Sequence, residues 1–264
     1  MRKMLDGRTI LVLGVGPSLG RATALMCADE GANLALAARS QPVLDEVSRE
    51  VTARGGSAIT RITDMNDAGD CKALVAETVA RFGHIDGLVT VAHAAEDNKT
   101  ITESEDDLSN WRPIIDTNIY GTLQMIKAVI DQMVTQESGG SIVIINSMTA
   151  NLPWPGLLPY ASSKAALAAA ARQMALEYGP RKIRVNSLHC GAILNDGLWD
   201  NLQYLATVNG TTKEEEYTKI AALSPLGSIA TPEEYVGSIL YLLSDLSAPV
   251  TGISLHVNSG RYMA

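Results

Sequence analysis

The sequence predicts an α/β protein, a single domain over residues 1–264 built on a doubly wound, parallel, seven-stranded sheet with helices on both faces. Three observations lead there. Short aliphatic and β-branched runs recur seven times, helix-length stretches separate them, and glycine turns fall at the joints. The composition agrees, since 46% hydrophobic and 19% charged residues among 264 suit a soluble chain with one sizeable core.

The runs lie at residues 9–13, 34–38, 58–62, 87–91, 141–145, 183–188 and 253–257, and their near-continuous apolar character is that of buried strands. Helices are expected over 19–30, 42–54, 68–82, 111–135, 160–178 and 232–243. Strict alternation of the two makes the sheet parallel. Gly31, Gly55-Gly56, Gly83, Gly139-Gly140 and Gly179-Pro180 close helices before the next strand. Residues 191–230 form the longest stretch without a strand, and their run Lys213-Glu214-Glu215-Glu216 reads as a solvated helix face.

Charge and composition exclude several classes of partner. Asp and Glu number 29 against 21 Lys and Arg, so the net charge of −8 gives no general attraction to nucleic acid or to anionic membranes. No apolar run approaches the roughly 18 residues of a membrane span, and residues 1–8 lack the apolar centre of a secretory signal. Cys27, Cys71 and Cys190 form no C-x-x-C pair, so no disulfide framework is expected and the predicted compartment is cytoplasmic. His84, His93, His189 and His256 lack ligand spacing, so no metal site is expected.

The first strand runs into Gly14-Val15-Gly16-Pro17-Ser18-Leu19-Gly20 and then a helix, the context in which backbone N–H groups and a helix N-terminus hold a pyrophosphate. The spacing departs from G-x-G-x-x-G because the third glycine comes one residue late. The second strand ends at Arg39, where an acid would bind the ribose diol of NAD; its guanidinium suits a 2′-phosphate and favours NADP(H), with NAD(H) possible.

Tyr160 and Lys164 stand four apart at the start of an Ala-rich helix, so both lie on one face. A cation about 4 Å from a phenol at an effective dielectric of about 20 is worth roughly 4 kcal/mol, enough to lower its pKa by about 3 and prepare Tyr160 for proton transfer. Ser147 follows the fifth strand thirteen residues earlier, and Asn118 precedes it by one strand. Both fall at or beyond strand C-termini, where open parallel sheets bind ligands.

With these residues the chain resembles the short-chain dehydrogenase/reductase family, from the glycine loop to Pro249-Val250-Thr251-Gly252. The resemblance implies a Rossmann-like oxidoreductase, interconverting a secondary alcohol and a ketone, with the catalytic set Asn118, Ser147, Tyr160 and Lys164. In it Tyr160 exchanges the proton with the substrate oxygen, Ser147 hydrogen-bonds that oxygen, Lys164 binds the nicotinamide ribose, and Asn118 holds a relay water. Gly14, Gly16, Ser18, Leu19, Gly20, Arg39, Asp64, Met65, Ala92, Gly191 and Ile193 are the further cofactor residues that it implies. It also implies a homotetramer paired through the helices at 111–135 and 160–178, with Ala165, Ala168, Ala169 and Ala171 allowing close approach.

The departures from the family pattern are Leu13, Ser18, Thr90-Val91-Ala92-His93, Cys190-Gly191 and Asn195, and Pro17 lacks an N–H to donate. They touch cofactor support, so a dinucleotide-sensing scaffold of the same fold stays open, as does an epimerase or dehydratase. The expected substrate residues are His93, Trp154, Leu158, Leu198 and Trp199, a mainly apolar set suited to an alicyclic, aromatic or steroid-like small-molecule alcohol. Residues 191–226 are expected to be the substrate lid, hinged at Asn195-Asp196-Gly197 and closing with Leu198, Trp199 and Leu202.

Overall fold

A computed structural model describes residues 3–95 and 98–263. Seven strands form one parallel sheet: β1 (Thr9–Leu13), β2 (Asn33–Ala38), β3 (Ser57–Ile62), β4 (Gly87–Thr90), β5 (Gly140–Ser147), β6 (Ile183–Cys190) and β7 (Ser254–Val257). Their spatial order is β3-β2-β1-β4-β5-β6-β7, so the direction of winding reverses between β1 and β4. A crevice opens at that switch point, beyond the strand C-termini.

Alternation along the strands sends side chains to two separate cores. Ile10, Val12, Leu34 and Leu36 pack on one face with residues of α1 (Leu19–Asp29), α2 (Gln41–Ala53) and α9 (Pro232–Leu243). Leu11, Leu13, Ala35 and Ala37 point to the other, against α3 (Ala68–Phe82), α5 (Thr122–Gln136) and α6 (Leu158–Tyr178). The central strands are buried, whereas β3 and β7 are only half-buried, because an edge strand has a neighbour on one side alone.

Three boundaries differ from expectation. The helix expected over 111–135 is interrupted: a short α4 (Arg112–Ile115) passes into a π-helical turn, Asp116–Gly121, before α5 begins. Gly179 adopts helical angles, and the left-handed stop there is Lys182 at φ 59°. Residues 191–230 hold two helices, α7 (Asp196–Asn209) and α8 (Lys213–Ala221), the latter started by a capping box of Thr212 and Glu215. Within the run expected to be solvated, Glu216 is buried instead, accepting hydrogen bonds from Asn209 and Thr211 and pairing with Lys219. Those donors hold its carboxyl down to about 2 and fasten the corner between α7 and α8. No helix among the described residues is long and apolar enough to cross a membrane.

Candidate active site

The crevice holds a cleft of about 810 Å³, within the range of ligand sites. Its floor is the loop Leu13 to Gly20. Gly14 has φ +95°, and a Cβ there would fall 2.3 Å from the Ala92 nitrogen. At Gly20 a Cβ would fall 2.2 Å from the Gly14 carbonyl oxygen, so both glycines are required by close backbone approach. A Cβ on Gly16 would meet no protein atom nearer than 4.0 Å, which leaves its surface open. Leu19 and Gly20 begin α1, and their N–H groups meet no backbone acceptor among the described residues. This cradle fits an anion at a helix N-terminus, so the loop suits a dinucleotide pyrophosphate despite its unusual spacing.

The other expected cofactor residues share the same wall. Arg39, Asp64, Met65, Ala92, Gly191 and Ile193 line the cleft with Ser18, and His93 lines it too. Arg39 is exposed and its guanidinium has no ion pair among the described residues, which leaves it available to a ligand. Cys190 is buried, and burial pushes its thiol up to about 12, so it remains protonated and serves as a small apolar wall.

The expected catalytic residues Ser147, Tyr160 and Lys164 line the same cleft. Tyr160 and Lys164 project from the first turns of α6, with the Lys164 nitrogen 5.5 Å from the Tyr160 ring centre. Lys164 is 3% exposed and donates to the Ile145 carbonyl at 3.1 Å. Ser147 ends β5, and its Oγ accepts from the Thr149 N–H at 3.2 Å and from the Thr149 hydroxyl at 2.8 Å. That leaves the Ser147 proton to be donated into the cleft. Asn146 accepts from the Ser147 N–H and donates to the Lys164 carbonyl at 2.9 Å, tying the end of β5 to α6. Neither Thr149 nor Asn146 was marked by the sequence, because their value lies in partners that only the fold supplies.

Asn118 does not line the cleft. Buried in the π-helical turn, it accepts from the Ala94 N–H at 2.7 Å, and its amide donates to the Ala94 carbonyl and to Ser163. Both amide hydrogens are therefore engaged with protein, which makes the side chain a strut behind Tyr160. Ser163 completes it by donating to the Tyr160 carbonyl at 2.7 Å.

Geometry of this kind recurs in known proteins. Residues 14–261 match the family described as enoyl-(acyl carrier protein) reductase. The chain is 34% identical over 257 residues to a short chain dehydrogenase/reductase, astE, of Aspergillus oryzae, covering 97% of this chain and 95% of that protein. The chain belongs to the short-chain dehydrogenase/reductase family. This short-chain dehydrogenase/reductase is also 31% identical over 262 residues to an L-rhamnose 1-dehydrogenase (NAD(P)(+)) of a Sphingomonas species, covering 99% of this chain and 98% of that one. A carveol dehydrogenase from Mycobacterium avium in complex with NAD superimposes with a TM-score of 0.88 over 98% of each chain; at 23% identity the likeness is one of fold. By family, this protein is an oxidoreductase enzyme.

A second chamber of about 320 Å³ adjoins the cleft of this dehydrogenase/reductase, sharing Met148, Thr149, Leu157 and Ala192 with it. Trp154 and Leu198, two of the expected substrate residues, line this chamber. Leu158 lines neither space; it is 44% exposed at the start of α6, and its neighbour Leu157 takes the inner position. Trp199 also lies outside, stacked on Tyr217 at 5.7 Å with Lys213 over its ring, because its side of α7 packs on α8. The expected hinge is a fastened corner. Asn195 caps α7 by accepting from the Leu198 N–H, and its amide donates to Ser18 at 3.1 Å, joining α7 to the glycine loop.

Proposed function

We propose that this enzyme interconverts a secondary alcohol and a ketone, favouring NADP(H) and accepting NAD(H). The observation that carries the reading is one cleft lined both by the anion cradle of the glycine loop and by Ser147, Tyr160 and Lys164. The loop from Gly14 to Gly20, with Gly16, Ser18 and the N–H groups of Leu19 and Gly20, would hold a pyrophosphate. Arg39 would hold a 2′-phosphate, Asp64 and Met65 would flank an adenine, and Ala92, Gly191 and Ile193 would border a nicotinamide. The bound nicotinamide supplies or accepts the hydride.

The chain's own residues manage the proton. The Tyr160 hydroxyl gives it to the substrate oxygen during reduction and takes it back during oxidation, while the Ser147 hydroxyl donates a hydrogen bond to the same oxygen. The buried Lys164 ammonium favours the phenolate that reduction leaves on Tyr160, and it would bind a ribose hydroxyl of the cofactor. Asn118 contributes by fixing the chain behind them, and residues 191–226 act as a lid latched through Asn195.

The decisive assay mixes protein with NADPH or NADH and a panel of ketones while following nicotinamide absorbance. Ketone-dependent loss of absorbance, abolished in Tyr160→Phe, supports the reading. Tight cofactor binding without turnover of any ketone or alcohol overturns it in favour of a dinucleotide sensor. The proposed assembly is a homotetramer. Ala168 and Ala171 are buried within the chain, whereas Ala165, Ala166 and Ala169 leave a small-residue strip exposed on α6 with Leu176 at 74% exposure. A monomer in light scattering at micromolar concentration refutes that assembly.

A further inference from the structure

The turn after β7 adds an unanticipated wall to the second chamber. Leu152, Trp154, Leu198, Ile220 and Leu223 make most of that space apolar, yet Arg261 also lines it and is its one charged residue among those described. The guanidinium lies 5.2 Å over the Trp154 ring and has no ion pair or side-chain hydrogen bond with any described residue. Asn258, on the same turn and also lining the chamber, is 6% exposed, and its Nδ2 has no hydrogen-bond partner. The Arg261 N–H donates to the Asn258 carbonyl at 3.0 Å, which keeps the two residues together.

A half-buried arginine in a chain of net charge −8 ordinarily finds a carboxylate of its own protein. Among the described residues no acid lines the chamber, and the anion that would suit Arg261 is one that a ligand brings. We propose that the second chamber is a carboxylate subsite, and that the substrate is an oxo acid or hydroxy acid whose carboxylate is held by Arg261 and the Asn258 amide. The inference rests on the oxidoreductase reading above and narrows its substrate class. One cation matches a monoanion better than a phosphate dianion, which calls for more donors. The neck at Met148, Leu157 and Ala192 separates the subsite from the Ser147–Tyr160 end, so carbonyl and carboxylate belong at opposite ends of an apolar spacer. Trp154 offers such a spacer a flat surface.

The test compares para-acetylbenzoate and straight-chain oxo acids with their methyl esters in NADPH-dependent reduction by the wild type, Arg261→Met and Arg261→Lys. Wild type should prefer the acids in kcat/KM. Arg261→Met should cost the acids about 10- to 100-fold, mainly through KM, while leaving the esters within about twofold. Arg261→Lys should recover part of the acid activity, and equal melting temperatures exclude a folding defect. Equal kcat/KM on esters and acids in the wild type, or equal losses on both in Arg261→Met, overturns the subsite while leaving the oxidoreductase reading intact. Should no compound be reduced, that reading fails, and the subsite is judged by tryptophan-fluorescence titration with para-acetylbenzoate. Binding weakened in Arg261→Met supports it, and no difference from wild type overturns it.

Discussion

Acidification should destabilise the β6–β7 edge through His189. This imidazole is 1% exposed, and neither ring nitrogen has a hydrogen-bond partner among the described residues. His256 stands opposite it in register, with ring centres 4.8 Å apart. Burial above all, then the nearby positive potential of His256, Lys164 and Arg172, holds His189 down to about 4 from an ordinary 6.5. The folded protein thus keeps it neutral while the unfolded chain takes up a proton, so stability is full above about 6.5 and falls as the pH drops through about 4. Each tenfold change in proton affinity is worth about 1.4 kcal/mol, which makes the whole effect about 3 kcal/mol at most. Against a usual total of about 5–15 kcal/mol this is measurable. Urea unfolding of wild type and His189→Leu at a series of pH values should show wild type losing up to about 3 kcal/mol relative to the variant as the pH falls from about 6.5 to about 4. Parallel curves, or a His189 ring titrating near its ordinary value by NMR, would refute the reasoning.

Three further outcomes bear on the cleft. Tyr160→Phe should lower kcat by several orders of magnitude with cofactor affinity nearly unchanged, whereas Lys164→Ala should impair both, as steady-state kinetics and fluorescence titration of NADPH will show. Arg39→Asp should move the kcat/KM preference from NADP(H) towards NAD(H), and a wild type that already prefers NAD(H) contradicts the role given to Arg39. Asn195→Ala removes both the α7 cap and the bond to Ser18, so amide exchange in residues 191–209 should rise in the free protein and lose its protection by cofactor; exchange unchanged from wild type counts against the latch.

The sheet was legible because each central strand is covered twice and has to be apolar along its whole length, as Ile10, Leu11 and Val12 are. Tyr160 and Lys164 were legible because a helix converts a spacing of four into one face. Other features depend on contacts remote in sequence. The π-helical turn shifts the apolar phase by one residue, but α4 before it has only four residues, too short a stretch for the shift to be read. Trp199 and Leu198 are adjacent and both apolar, so only the position of α8 decides which enters the chamber. Asn195 looked like hinge material because its neighbours are Asp196 and Gly197; its partner Ser18 lies far away in the chain. Arg261 gave no local signal, because its significance is that no acid among the described residues shares its chamber.

The π-helical turn at Asp116–Gly121 constrains how this chain can change length over evolutionary time. Such a turn carries one residue more than the α-helix on either side of it. Because the wider turn absorbs that residue, deleting one would regularise the hydrogen bonding and leave Met125, Val129 and Met133 of α5 facing the core as before, so the cost falls on the turn itself. Asn118 would then swing away from Ala94 and Ser163, leaving buried polar groups unpaired. A straighter helix therefore comes at the expense of the Asn118 bonds, which ties the length of this turn to the segment after β4 and to α6.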